Sequence, residues 1–223
     1  MKKSNLDLPE AQDWDHFWAL DETKQFTKIS WSKRRIISTI APHLKKGSTV
    51  LDAGCGSGFF SKYFIERGLK TISLDYSQQA LDITQKMTQG KGEIVRADLL
   101  SDDLRVKLNC RVDGIFTDGL LEHFPLVDQD RILNNFISVL NPQGIIITFV
   151  PNRFSPWELI RPLYMPGIEE TPFTFSQLLK LNKRHHLKIL DQGGVNTFPF
   201  AFSPDRLFGK NFGMLLYSIA QKT

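Results

Sequence analysis

The sequence is short of the features that mark small stapled, metal-bound or membrane-spanning proteins. It holds two cysteines in 223 residues, Cys55 and Cys110. That is too few for a disulfide framework, and their spacing fits no common metal-ligand pattern, so no metal site is expected. The longest apolar run, Ile145 to Val150, is far too short to cross a bilayer. After Lys2 and Lys3 comes the polar SNLDLPEAQDWD, where a secretory leader would be apolar, and a soluble, cytoplasmic protein is the expectation. Neither an internal repeat nor a low-complexity tract is visible. The net charge is only +4, which admits anionic partners without pointing at them. What remains, 41% hydrophobic and 23% charged residues, suits one large α/β domain; two would be cramped.

Along the chain, residues 1 to about 13 are polar. Residues 14–44 read as helical, with Trp14, Phe17 and Trp18 clustered and Ile36, Ile37 and Ile40 on one face. Lys33, Arg34 and Arg35 read as a solvated helix face. Apolar, strand-like runs then alternate with helical ones. Strands are expected at 49–51, 71–74, 93–97, 112–117 and 145–150. Helices are expected from Ser57 or Gly58 to Gly68, from a Ser77 N-cap to Met87, and over 127–140. Asn141-Pro142-Gln143-Gly144 reads as a turn. This rhythm predicts a mostly parallel sheet with helices on both faces, whose ligands lie beyond the carboxyl ends of the strands. Four acids, Asp52, Asp75, Asp98 and Asp118, fall at those ends.

After Pro151 the texture changes. Residues 152–172 mix four prolines with Phe154, Trp157 and Tyr164, too proline-rich for a long helix. Residues 174–182 look helical and 187–190 strand-like. Residues 194–212 hold five phenylalanines in a loop-like background, and 214–220 reads as a closing strand. Lys183, Arg184, His185 and His186 form a basic run without interleaved aromatics, which reads as a solvated helix end.

The most specific stretch is VLDAGCGSGFF, residues 50–60: strand, tight glycine turn, helix. Gly54, Gly56 and Gly58 leave out the Cβ atoms that would block both the turn and a ligand's approach to the backbone. A dinucleotide turn reads G-x-G-x-x-G. Here Phe59 stands where the third glycine would be and Gly58 comes one place earlier, which argues against a nicotinamide-dependent oxidoreductase. The pattern Asp52-x-Gly54-x-Gly56-x-Gly58 resembles motif I of the class I S-adenosylmethionine-dependent methyltransferases. The order of elements over about residues 45–150 resembles them too.

That resemblance implies a Rossmann-like, mostly parallel seven-stranded sheet with an antiparallel C-terminal strand. It implies an N-terminal helical cover (1–44) on a methyltransferase domain (45–223), with lid-like insertions at 152–172 and 194–212. It implies S-adenosylmethionine as cofactor, with Asp52, Gly54, Cys55 and Gly56 at the methionine end and Gly58 closing the turn. Asp75 would hold the ribose diol, since a carboxylate accepts two hydrogen bonds at once. Tyr76 would lie on the adenine face, Asp98 and Leu99 would meet the adenine edge, and Asp118 and Gly119 would pass near the methyl group. Of these, Asp98 could instead cap its turn, and Asp52 could brace the glycine turn. His123 is the best-placed general base, or else a residue that orients its loop; His16, Glu122 and Tyr164 are weaker bids.

The turn after the fourth strand reads Asp118-Gly119-Leu120-Leu121-Glu122-His123-Phe124. It lacks the Asp/Asn-Pro-Pro-Tyr/Phe of amino-methylating nucleic-acid enzymes, and no Pro-Cys pair is present, so DNA is not expected as a partner. A small molecule with an apolar or aromatic body is the expected acceptor. RNA or protein acceptors, and a cofactor-binding module without acceptor chemistry, stay open. The oligomeric state is not legible.

Overall fold

The computed structural model describes residues 10–164 and 170–223, with the backbone alone at 162–164. The polar stretch 1–9, Pro166 and the Tyr164 side chain lie outside the described residues. Seven strands form one sheet: β1 (Thr49–Ala53), β2 (Lys70–Asp75), β3 (Glu93–Arg96), β4 (Val112–Asp118), β5 (Leu140–Pro151), β6 (Lys188–Val195) and β7 (Leu215–Gln221). Their spatial order is β3-β2-β1-β4-β5-β7-β6. β1 to β5 pair in parallel, and β7 runs antiparallel between β5 and β6.

The helices are α1 (Ala11–Ala19), α2 (Trp31–Ile40), α3 (Phe59–Glu66), α4 (Gln78–Met87), α5 (Leu104–Lys107), α6 (Leu126–Val139), α7 (Trp157–Tyr164), α8 (Phe175–Arg184) and α9 (Asp205–Phe212). On one sheet face α5, α6 and α8 press Leu104, Ile132, Leu133, Phe136, Leu178 and Leu181 onto Leu51, Ile115 and Ile146. On the other, Ile36 and Ile40 of α2 and Phe60 and Phe64 of α3 meet Val50, Phe116, Ile147 and Ile219. A strand alternates its side chains between faces, so these central strands need apolar residues on both.

Local signals fixed most boundaries. Ser77 caps α4 by accepting the Ala80 amide at 3.1 Å, and Thr174 forms a capping box with Gln177 on α8. Several expectations need correction. The helical reading of 14–44 is broken into α1, a 3-10 stretch (Asp21–Thr27), α2 and a short 3-10 turn, because Ser30 caps a new helix through the Lys33 amide. Asn141–Gly144 lies inside β5 as an irregular stretch where the register with β4 shifts. The loop-like reading of 194–212 hides helix α9, and the strand before it runs to Val195. Helix α9 packs on β6 where Gly194 and Gly209 bring their backbones together, a contact that side chains would forbid. Arg35 is not solvated: its guanidinium donates to the Asn196 side chain and to the Phe198 and Phe200 carbonyls, and sits 3.4 Å from Asp205. In the basic run at the end of α8, Arg184 and His185 pair with Asp130.

Candidate functional site

Strand order reverses between β1 and β4, and the glycine turn leaves β1 at that point. Gly54, Gly56 and Gly58 all adopt positive φ, at 73°, 49° and 69°. A Cβ on Gly58 would lie 2.7 Å from the Thr84 backbone of α4, so the turn can pack there only as glycine. Inside the turn the Gly54 and Cys55 amides donate to the Leu74 carbonyl, which ties the turn to β2. Cys55 is buried against Thr84, its thiol held above the usual range by burial and by the nearby Asp75 and Asp52. It is therefore a packed neutral thiol rather than a nucleophile.

Asp75 ends β2 facing this turn. One carboxylate oxygen accepts the Gly56 amide at 2.9 Å, the other the Ser77 amide at 3.0 Å. Only 9% of the residue is exposed. Burial raises its pKa against the pull of the Gly56, Ser77 and Tyr76 amides. Asp75 therefore organises two buried amides and is part of the folded frame of the turn. The carboxylate keeps acceptor capacity for a ligand beyond these amides. Tyr76 beside it is exposed, and its carbonyl accepts from Arg96.

Asp52 points into the protein. It accepts the Ser61 hydroxyl at 2.6 Å, and Ser61 in turn accepts from Ser73, a buried chain linking β1, α3 and β2. Burial pushes the Asp52 carboxyl up to about 7 despite Ser61. Asp98 binds its own turn, accepting the Leu100 amide at 2.9 Å and the Ser101 hydroxyl at 2.8 Å, while Leu99 is buried below. Asp98 thus holds its own turn, while Asp52 is tied to α3 through Ser61 rather than to the glycine turn. Asp118 ends β4, its carboxyl raised to about 6 by burial and held down by Lys33. Gly119 follows with φ of 75°.

Two features of the N-terminal segment bear on the site, and the second corrects the solvated reading of Lys33. Helix α1 lies against α4, with Asp15 accepting the Ser77 hydroxyl and the Gln79 amide. Trp18 then covers the glycine turn so closely that a Cβ on Gly56 would enter its ring. Trp14 meets the His123 ring edge-on at 4.9 Å, and Ser57 donates to the Phe26 carbonyl. The second is Lys33, half-buried with its ammonium 4.1 Å from the Phe59 ring centroid and its pKa lowered by burial to about 8. His16 is exposed on α1.

On the β4–β5 side, the chain leaves β5 after Pro151 and returns at Phe173, whose amide donates to the Pro151 carbonyl. The return brings Glu170 to the 3-10 turn Leu121–His123, where Glu122, His123 and Glu170 place ligand atoms within 4.8 Å of one another. Arg161 of α7 reaches Glu170 at 3.0 Å and Glu158 at 3.4 Å. Oε2 of Glu122 is buried without a hydrogen-bond partner among the described residues. Burial first, then the neighbouring Glu170, holds the Glu122 carboxyl well above its usual range, and Glu170 is raised by burial to about 7. Two carboxylates and an imidazole in this arrangement can share protons or hold a cation. Glu170 escaped sequence reasoning because 47 residues separate it from His123 and nothing local marks it.

Comparison with known proteins fits this geometry. Residues 50–144 match the family described as "Methyltransferase domain". A ubiquinone biosynthesis O-methyltransferase of Coxiella burnetii is 28% identical over 108 residues, 48% of this chain and 45% of that protein. A tRNA N(3)-methylcytidine methyltransferase of Schizosaccharomyces pombe is 26% identical over 142 residues, 61% of this chain and 57% of that one. The chain spans about half the length of these curated relatives. A solved S-adenosylmethionine-dependent methyltransferase from Anabaena variabilis shares the fold at a TM-score of 0.70 and 19% identity, covering 100% of this chain and 98% of that one.

Proposed function

We propose that the protein transfers a methyl group from S-adenosylmethionine to a small-molecule acceptor with an apolar or aromatic body, a reading supported by the match of residues 50–144 to a methyltransferase domain family and by the class I order of the sheet around them. The observation that carries the reading is the pairing of the positive-φ glycine turn with Asp75, whose carboxylate fixes the Gly56 amide and retains acceptor capacity. The residues present fit the cofactor. Asp75 suits the ribose diol, the exposed Tyr76 ring suits a base, and the glycines let the backbone approach the methionine end. Asp118, at the end of β4, offers a carboxylate near where the sulfonium charge would lie.

S-adenosylmethionine supplies a methyl already activated on sulfonium, so the protein mainly aligns the acceptor with the S–CH₃ bond. Trp18 would exclude water from above the turn, and Trp14 would do so beside His123. His123 holds or takes the acceptor proton where the acceptor must lose one, with Glu122 and Glu170 beside it. Residues 152–164 form the acceptor cover, and the segment 194–212 contributes its rim.

An RNA acceptor is the second reading, favoured by the likeness to the tRNA methyltransferase. Transfer of labelled methyl groups into cell extract separates the readings. Label in the solvent-extractable fraction supports a metabolite. Label removed by nuclease or protease means a macromolecular acceptor, and S-adenosylhomocysteine binding without any transfer means a binding module.

A further inference from the structure

At the carboxyl end of the sheet, beyond β6, the surface carries apolar side chains that nothing described covers. Phe200, Phe202 and Leu207 are 68%, 75% and 77% exposed, and Trp31, Phe208 and Phe212 are close to half exposed. They stand on the start of α2, the 196–204 loop and α9. These segments are locked together: the Asn196 amide donates to Ser32 at 2.8 Å, and Arg35 holds the loop carbonyls and Asp205. The apolar tips are therefore held out by a fixed frame, and isolated exposed residues on a loose loop would not need one.

The charge around them is one-sided. Residues 28–35 and 196–214 together hold six basic residues and one acid, a net +5, against +4 for the whole chain. The single acid, Asp205, faces Arg35. Lys28, Arg34, Arg206 and Lys210 are exposed, whereas Lys33 and Arg35 turn inward. Lys28, Arg34 and Arg206 flank the tips, and Lys210 reaches over Phe175.

We propose that this rim docks the protein on an anionic lipid bilayer, with the phenylalanine and leucine tips entering the interface and the four outward cations meeting headgroup phosphates. Apolar tips with a basic surround are the pattern of interfacial binding, and each juxtamembrane cation adds about 1 kcal/mol near an anionic surface. A second copy is disfavoured, because an isologous contact would set the same positive rim against itself. Single-stranded RNA could use the aromatic rings but not the protruding Leu207, which has no π-face to offer a base. The rim lies at the same end of the sheet as the glycine turn, so docking would turn the site toward the bilayer.

The test is co-sedimentation of the full chain with vesicles of phosphatidylcholine alone and of phosphatidylcholine with phosphatidylglycerol. The protein is expected to pellet with the anionic vesicles only. Arg206→Glu/Lys210→Glu should weaken that binding about tenfold or more. Phe202→Ser/Leu207→Ser should weaken it comparably, while Lys91→Glu, exposed in the turn after α4, should bind as the parent does. Thermal melts run alongside. If the apolar pair melts early, the charge pair together with Arg34→Glu decides. The proposal is overturned by equal sedimentation with neutral vesicles, by no sedimentation, or by an equal loss in Lys91→Glu. It is also overturned if the tips instead control self-association, or if a single-stranded oligonucleotide binds through the same residues and vesicles do not.

Discussion

On the β1–β2 side of the cleft, both Asp75 oxygens hold backbone amides, the Asp52 carboxyl sits in a hydroxyl chain, and Asp98 ties its own turn. On the β4–β5 side, Glu122 keeps a buried oxygen without a partner among the described residues, and Glu158, Glu170 and Arg161 crowd beside it. Burial raises the Glu122, Glu158 and Glu170 carboxyls there, whereas the acids of the first side are tied to amides and hydroxyls. The first side is a finished frame for a ligand whose shape is fixed. The second gathers titratable groups, and in our reading acceptor choice resides there.

The largest effect expected on the finished side is from Gly58→Ala. The new Cβ would meet the Thr84 backbone at a φ that L-residues disfavour by about 1–2 kcal/mol before any clash. Gly90→Ala has a similar φ but ordinary space around it. A thermal melt should fall much further for Gly58→Ala than for Gly90→Ala, and S-adenosylhomocysteine binding should vanish only in the former. Equal melts would mean that the packing of the turn on α4 carries nothing.

Asp75→Ala comes next. It strands the Gly56 and Ser77 amides and removes charge-assisted hydrogen bonds to the ribose worth roughly 1.5–3 kcal/mol, a loss of about 10- to 150-fold in affinity. Its melt should drop as well, with Asp75→Asn intermediate in both measurements. An Asp75→Ala protein that binds S-adenosylhomocysteine as tightly as the parent would break the contrast between the two sides.

The unfinished side should respond in the opposite sense. The folded-state pKa of Glu122 is raised, so its contribution is most favourable at low pH and is lost as pH rises past the ordinary carboxylate range. Glu122→Gln should therefore melt higher than the parent at pH 8, and the difference should shrink toward pH 4. Methyl transfer should fall all the same. A variant that is less stable than the parent at pH 8 would show that Glu122 is paired in solution.

These differences explain what could be read from the chain beforehand. The sheet, its order of elements and the glycine turn were legible because strand ends, N-caps and glycine positions are set by neighbouring residues. Asp75 was found for that reason, at the end of a short apolar strand. Its bonds to Gly56 and Ser77 could be recognised only once β1 and β2 were placed side by side. Glu170, Arg161 and Asp15 were missed, and Lys33 was read as solvated, because each reaches the site from a distant segment through a tertiary return. Helix α9 was hidden because it is only eight residues long, follows Pro204 and carries Gly209 in its interior, and its packing rests on the Gly194–Gly209 approach.

A smaller effect is expected from the cover. Trp18 lies on Gly56, so cofactor entry should change its surroundings. Intrinsic fluorescence should shift when S-adenosylhomocysteine is added, and Trp18→Phe should lose most of that shift while affinity changes only a few-fold. An unchanged shift in the variant would place the reporting tryptophan elsewhere.

The most direct measurement of the central claim is calorimetric titration of the unmodified protein with S-adenosylhomocysteine and, separately, with NAD. The account predicts saturable one-site binding of S-adenosylhomocysteine and no heat from NAD. Tight NAD binding with S-adenosylhomocysteine silent would contradict it.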